Sequence, residues 1–407
     1  MKIRKPVFYF WILLLIISGC NNSQAGKEIN YGSTPQILEQ QPKKVHDTIT
    51  KHWSVEDFYS TDSILLREVD NIYNSMDVNE RAAQLIMAGT GRSKAFGLPF
   101  AKIMQLYKSK VIGGVLFLKG TRNLFKEEVK KINLASVNGN ILPSIFSCDC
   151  EPTLFHKKFT DADSMQATSE LKTAQDVKKS AAAISNQMHQ IGIQWNFAPV
   201  ADVGINEEII NKRSFGNDTQ QVIRKSIAFI NSSTDSNIVT TIKHFPGHGA
   251  VKGDSHRQLV YIDSVLTELE NFKSIIKLAN PISVMIGHIA VKNNETYNTN
   301  GMPSSLSKKI ITTLLKNNIG FKGIIVSDAM NMGAVKNIPN ADYLAILAGN
   351  DIVVMPQDAQ LLHKKLVRDL LSNSVLKNNL VNSVKKILKL KICLGLIGNF
   401  KQATNSR

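Results

Sequence analysis

The sequence has 407 residues, 43 % apolar and 20 % charged, an ordinary globular composition that excludes wholesale disorder. Lys plus Arg number 49 against 33 Asp plus Glu, a formal net charge of +16. No dense basic run follows the first few residues, so the excess reads as a solvated Lys-rich surface rather than a nucleic-acid site, and four cysteines are too few for a disulfide scaffold.

Residues 1–20 read MKIRKPVFYFWILLLIISGC. Lys2, Arg4 and Lys5 precede an apolar run from Val7 to Ile17, the pattern of a secretory signal and too short for a spanning helix. Ile17-Ser18-Gly19-Cys20 resembles a bacterial lipobox, which implies that Cys20 becomes the lipidated first residue of the mature chain, held to a membrane by its acyl chains. Asn21 follows, not an acidic residue. The expectation is a lipid-anchored protein of the cell envelope, on the periplasmic side. Residues 21–62 read as a polar tether and N-terminal arm, and 401–407 as a tail.

From residue 63 to 400, short β-rich runs alternate with amphipathic stretches. The runs are Ala83–Ala88, Ile112–Leu118, Ser144–Asp149, Gln194–Ala198, Ile238–His244, Ser283–Gly287, Gly323–Asp328 and Asp351–Met355. Helices are expected between them, for example over Lys172–Gln190, Leu306–Asn317 and Leu380–Leu394. Eight such units point to an α/β fold, a single (β/α)8 TIM barrel. A doubly wound sheet is the alternative. Against it, no Gly-rich dinucleotide fingerprint follows the first strand. Polar residues also gather at strand ends: Asp149, Asn196, Lys243, His244, His288 and Asp328.

The densest cluster of chemistry is Lys243-His244-Phe245-Pro246-Gly247-His248-Gly249, followed by Asp254-Ser255-His256. A histidine two residues from an aspartate can have one ring nitrogen held while the other exchanges a proton. Asp328 closes Ile324-Ile325-Val326-Ser327 and is placed as a nucleophile or a metal ligand. Arg213, in Arg213-Ser214-Phe215-Gly216, can fork onto a hydroxyl or a carboxylate. Asp202 suits loop stabilisation as well as ligand contact. His244, His248, Asp254 and His256 also admit a metal reading, and Cys148, Cys150 and His156 a zinc reading. No His-x-His stands at the first strand, and no second cysteine pair follows. No metal or cofactor is expected.

Together NFAPVADV, RSFG, KHFPGHG with DSH, GIIVSDAMNMGA and AGNDIVVMP, in that order along the chain, resemble glycoside hydrolase family 3, specifically its single-domain β-N-acetylglucosaminidases. IGGVLFLKG and VKKILKLKICLGL fit the family's early and final segments. The resemblance implies retaining removal of terminal non-reducing β-linked N-acetylglucosamine. Asp328 would be the nucleophile, and His256 the general acid/base assisted by Asp254. A histidine in that role is unusual, since most retaining glycosidases use a second carboxylate. Asp149, Lys157, Arg213, Lys243 and His244 would bind the sugar. Given the envelope address, peptidoglycan fragments are the expected source and a muropeptide the expected partner, with the chain a monomer. Alternatives are another β-sugar such as glucose or xylose, phosphorolysis in place of hydrolysis, and a non-catalytic wall-binding lipoprotein.

One segment departs from the family pattern. After the third-strand aspartate the family reads Asp-Gln-Glu-Gly-Gly with an Arg further on. This chain reads Asp149-Cys150-Glu151-Pro152-Thr153, with Lys157 where the Arg is expected. Pro and Thr do not take the positive φ open to Gly, so the loop is expected to be rebuilt.

Overall fold

The computed structural model describes residues 52–92, 97–372 and 374–398. The expected signal at 1–20, its Cys20, the tether up to residue 51 and the 401–407 tail lie outside the described residues. Among the described residues no helix is long and apolar enough to cross a membrane.

The strands are β1 (Ile86–Thr90), β2 (Gly114–Phe117), β3 (Ile145–Cys148), β4 (Trp195–Asn196), β5 (Val239–Phe245), β6 (Val260–Asp263), β7 (Ser283–Ile286), β8 (Ile289–Lys292), β9 (Ile324–Ser327) and β10 (Val353–Val354). Eight of them form one sheet in the order β10-β1-β2-β3-β4-β5-β7-β9. Its neighbours pair in parallel throughout. A bridge between Val326 and Ile352 brings β9 back to β10 and closes the ring. This is the expected barrel.

Two expectations need correction. The first strand begins at Ile86, not Ala83, because Val78–Ala83 is a short helix. Asp77 and Glu80 cap it reciprocally, each side chain accepting the other's backbone N–H. A further parallel pair, β6 with β8, lies outside the ring. Along β6 burial alternates, Val260 and Ile262 inward, Tyr261 and Asp263 outward. That is the signature of a half-buried strand.

Helices pack around the ring. Ala174–Ile191 starts at the cap Thr173, whose hydroxyl accepts Asp176 N–H, and ends at Gly192 with φ 92°. Val375–Cys393 closes the series and lies against the helix Ser63–Ser75. Its Lys391 is buried, with Nζ donating to Gln84 Oε1 at 2.6 Å, Gly113 O at 3.1 Å and Pro143 O at 2.6 Å. Those acceptors precede β1, β2 and β3, so this lysine ties together the floor of the barrel.

The last residues of the expected arm also belong to the floor. In the turn Val55–Tyr59, Val55 and Phe58 are buried. Val55 N–H donates to Asn237 Oδ1 and Tyr59 OH to Pro281 O, just ahead of β5 and β7.

Candidate active site

At the opposite end, where the strands finish, a cavity of about 490 Å³ opens. Asp149, Arg213, Lys243, His244, His256 and Asp328 all line it. Lys157 does not; it is exposed, and its neighbour Lys158 faces the cavity instead.

Lys243 and His244 are successive residues of β5, and in a regular strand they would face opposite ways. The register of β5 against β7 shifts between Ile242 and Phe245. Such an irregularity re-aims side chains, and here both line the cavity.

On the β3 side lies a buried charge network. Lys243 Nζ stands 2.8 Å from Asp149 Oδ1 and 2.6 Å from Glu151 Oε1. Arg213 forks onto Glu151, Nε to Oε2 at 2.8 Å and Nη2 to Oε1 at 2.7 Å. Lys158 Nζ donates to the second oxygen of Asp149 at 3.2 Å. Burial alone would push both carboxyls up, but Arg213 and Lys243 outweigh it at Glu151 and bring it to about 2. Lys243 and Lys158 likewise hold Asp149 well below the usual carboxylate range. Glu151 therefore orders the two cations, and Asp149 faces the cavity as an anion.

The rebuilt loop after β3 uses ordinary backbone, since neither Pro152 nor Thr153 has positive φ. Thr153 Oγ1 donates to Lys212 O at 2.5 Å, beside Arg213, and accepts Thr168 N–H at 2.8 Å. The hydroxyl anchors Arg213's own loop, a tie that glycine has no side chain to make.

Asp202 is fully buried and lies beneath β5. It accepts His244 Nδ1–H at 2.7 Å and the backbone N–H groups of His244 and His248 at 3.1 and 2.9 Å. Of the two readings of Asp202, loop stabilisation is the one the geometry takes. The contact turns His244 Nδ1–H toward Asp202 and leaves Nε2 for the cavity that His244 lines.

The loop after β5 carries Asp254 and His256. Asp254 Oδ1 accepts both His256 Nδ1–H and the His256 backbone N–H, each at 2.8 Å. Burial raises the Asp254 carboxyl, and these bonds more than reverse it, so it is held below its ordinary value. The His256 side chain is 58 % exposed, and it lines the cavity. His256 O accepts Gly333 N–H at 2.9 Å. A Cβ on Gly333 would sit 2.3 Å from Arg257 O and 2.7 Å from His256 O, so the segment after β9 must be glycine where the loop leans on it. At the loop's root, Glu268 accepts Val203 N–H at 2.7 Å and Ala250 N–H at 2.9 Å. Burial, with Asp202 nearby, pushes Glu268 up to about 8.

Asp328 follows β9. Its Oδ1 accepts Ala329 N–H at 2.8 Å. Burial would raise this carboxyl; the neighbouring imidazoles of His288 and His244 and the Ala329 amide outweigh it and keep it low. His288 Nδ1 lies 2.7 Å from Ser305 Oγ, and its Nε2 donates to Ala329 O at 3.0 Å. Sequence reasoning noted His288 only as a strand-end polar residue; its place is under the Asp328–Ala329 turn. Lys158 and Glu151 were missed as partners, Lys158 because the one-turn helix Phe155–Lys158 offers no periodicity to say which lysine faces in, and Glu151 because its partner Arg213 is remote in sequence.

Cys148 and Cys150 are buried and unpaired. Asn196 holds Cys150 by both backbone groups, accepting its N–H at 2.9 Å and donating to its O at 3.1 Å. Among the described residues no three His, Cys, Asp or Glu converge as a metal site would require.

Residues 77–390 match the family description "Glycosyl hydrolase family 3 N terminal domain". The chain belongs to glycoside hydrolase family 3. Similar curated proteins include Beta-hexosaminidase A of Pseudoalteromonas piscicida, 33 % identical over 195 residues, covering 44 % of this chain and 33 % of that one. The Beta-hexosaminidase of Haemophilus influenzae is 28 % identical over 261 residues, covering 60 % and 72 %. That of Vibrio cholerae is 33 % identical over 168 residues, covering 40 % and 49 %. The chain thus spans a third to about three quarters of these relatives. Among solved structures, a family 3 β-N-acetylglucosaminidase from Paenibacillus sp. superposes with TM-score 0.71 at 22 % identity, over 80 % of this chain and 64 % of that one. A β-N-acetylhexosaminidase from Beutenbergia cavernae gives 0.67 at 22 %, over 77 % and 98 %. These likenesses establish the fold.

Proposed function

We propose that this chain is a retaining exo-β-N-acetylglucosaminidase that removes terminal β-linked N-acetylglucosamine from peptidoglycan fragments. The observation that carries the reading is a single cavity lined by an ionised aspartate, Asp328, and by a histidine held through Nδ1, His256. The names of the curated relatives favour a hexosamine over other β-sugars.

The chemistry follows from the contacts. Asp328 Oδ1 is occupied by Ala329 N–H, which leaves Oδ2 for the anomeric carbon. In the first step Asp328 attacks that carbon while the His256 imidazolium gives its Nε2 proton to the departing oxygen, and a glycosyl ester forms. In the second step neutral Nε2 takes a proton from water, the water oxygen bonds to the anomeric carbon, and the ester bond to Asp328 breaks. Asp254 keeps Nδ1–H engaged throughout, so Nε2 is the nitrogen that works. Asp149, Lys243, His244 and Arg213 supply charged and neutral partners for sugar hydroxyls.

The cellular part of the reading is an envelope protein anchored through lipidated Cys20, facing the periplasm and acting as a monomer. The anchor is supported by the basic and apolar start of the sequence and by the lipobox-like Ile17-Ser18-Gly19-Cys20.

The test is hydrolysis of 4-nitrophenyl β-N-acetylglucosaminide by the full chain in mild detergent. Asp328→Ala is expected to abolish turnover. His256→Ala is expected to cost about 10²–10⁴-fold in kcat. Mass spectrometry of rapidly quenched enzyme is expected to find the sugar esterified to Asp328. Turnover that survives Asp328→Ala overturns the mechanism. Metabolic labelling of Cys20 with a fatty acid tests the anchor.

A further inference from the structure

The loop that carries Asp254 and His256 lies against the loop after β4, and Asn206 stands between them. Asn206 is buried. Its Nδ2 donates to Val251 O at 2.6 Å and to Gly253 O at 3.0 Å, and its backbone N–H donates to Gly249 O at 2.6 Å. One residue thus holds alternate carbonyls of the chain leading up to Asp254. The two loops approach closely: a Cβ on Gly249 would stand 1.9 Å from Val203 O.

The other half of the same amide faces its own loop. Oδ1 accepts Glu208 N–H at 2.9 Å and Ile209 N–H at 3.1 Å, while Asn206 O accepts Ile210 N–H at 3.2 Å and Asn211 N–H at 2.7 Å. This turn leads straight to Arg213, whose N–H donates to Ile210 O at 2.7 Å and whose Nη1 donates to Ile209 O at 3.3 Å. Two carbonyls on one side and two N–H groups on the other leave no choice in how the amide points. Both of its donors and both of its acceptor positions are used, so it cannot turn without breaking bonds to both loops.

The place of these bonds along the loop gives them their effect. Glu268 holds the loop further back, at Ala250, and Gly333 holds it at His256 itself. Asn206 fixes the stretch between, at Val251 and Gly253. Asp254 follows directly, and any shift of Asp254 carries the His256 ring with it, because Asp254 Oδ1 accepts both the ring Nδ1–H and the backbone N–H of His256. Proton transfer to a departing oxygen is sensitive to such a shift.

We propose that Asn206 is a positioning residue for proton transfer, which acts through Val251 and Gly253 to set the place of His256 relative to the Arg213 side of the cavity. The proposal rests on the reading of His256 as the acid.

The test compares kcat/KM of the full chain in mild detergent on phenyl and 3,4-dinitrophenyl β-N-acetylglucosaminides. Dinitrophenolate leaves as a stable anion with little help from an acid, whereas phenolate needs the proton. Asn206→Ser keeps a hydroxyl for the turn toward Arg213 but falls short of Val251 O and Gly253 O. The phenyl-to-dinitrophenyl ratio is expected to fall about tenfold or more in Asn206→Ser, and further in His256→Ala. Inhibition by N-acetylglucosamine is expected to stay within about threefold of the wild type in Asn206→Ser, because Arg213's turn is kept. Asn206→Asp is a second, independent variant: it keeps the acceptor contacts with Glu208 and Ile209, loses the two donors, and is expected to show the same fall. A ratio that falls in His256→Ala but holds its wild-type value in the Asn206 variants overturns the proposal. Inhibition weakened as much as turnover also overturns it, since the effect would then lie at Arg213, and so does failure of both variants to fold. An unchanged ratio in His256→Ala, or no wild-type turnover on either glycoside, overturns the acid reading itself and this role with it.

Discussion

Asp202 holds His244 twice, through the ring Nδ1–H at 2.7 Å and through the backbone N–H at 3.1 Å. One buried carboxylate thus fixes both where β5 ends and which nitrogen of His244 faces the cavity. Asp202→Asn keeps the shape but has a single acceptor oxygen for donors that now share two. It is expected to cost about 2 kcal/mol of stability, the penalty of a buried donor left unpaired. A fall in kcat/KM of about tenfold or more should accompany it, and denaturant unfolding with steady-state kinetics checks both. Unchanged values would mean that Asp202 does not set the site.

Gly333 tests the contact under the loop that carries His256. Gly333→Ala places a methyl group 2.3 Å from Arg257 O. The loop must lift, and His256 with it. A loss of kcat of about 10²-fold, the scale expected when a catalytic group is misplaced by 1 Å, is predicted with only a small change in Tm.

The same loop carries a pH dependence. His248 lies buried with Nε2 3.0 Å from Ser255 Oγ, and burial lowers it from 6.5 to about 4. Between those values the unfolded chain binds a proton that the folded chain refuses. Stability is therefore fully present above pH 6.5 and is lost as pH falls from 6.5 towards 4. Comparing Tm against pH in the wild type and in His248→Gln isolates this contribution; identical slopes would contradict it.

Glu151 is buried against two cations, with Arg213 Nη2 at 2.7 Å and Lys243 Nζ at 2.6 Å. Glu151→Ala strands Arg213 and leaves Lys243 with Asp149 alone. The expected cost is about 3–5 kcal/mol, enough to lower Tm by several degrees. Because Arg213 and Lys243 lose their positions, KM should rise more than kcat falls.

Lys391 gives the contrasting case at the floor. Lys391→Met leaves Gln84 Oε1, Gly113 O and Pro143 O without their donor. A loss of about 2–3 kcal/mol in stability is expected, with kcat/KM on the nitrophenyl glycoside within twofold of the wild type. Differential scanning calorimetry beside the standard assay separates the two.

The ring of eight strands was legible because short β-rich runs alternate with amphipathic helical stretches, and several of the runs end in a polar residue such as Asp149, His244 or Asp328. The cavity's main members were legible because their motifs are short and dense. What stayed hidden depends on contacts remote in sequence. The inward turn of Glu151 requires Arg213, 62 residues away. The choice of Lys158 over Lys157 is made by one helical turn that follows a rebuilt loop. The β6–β8 pair did leave a trace, the alternation Val260-Tyr261-Ile262-Asp263, but four residues beside a glycine-rich loop are a short signal. The capping pair Asp77 and Glu80 was likewise present in the sequence and marks where the helix before β1 begins.

Val55 and Tyr59 fasten the incoming chain ahead of β5 and β7, at the pole away from the cavity. A pull exerted on the chain before residue 55 is thus borne by the barrel floor and not by the loops that shape the site.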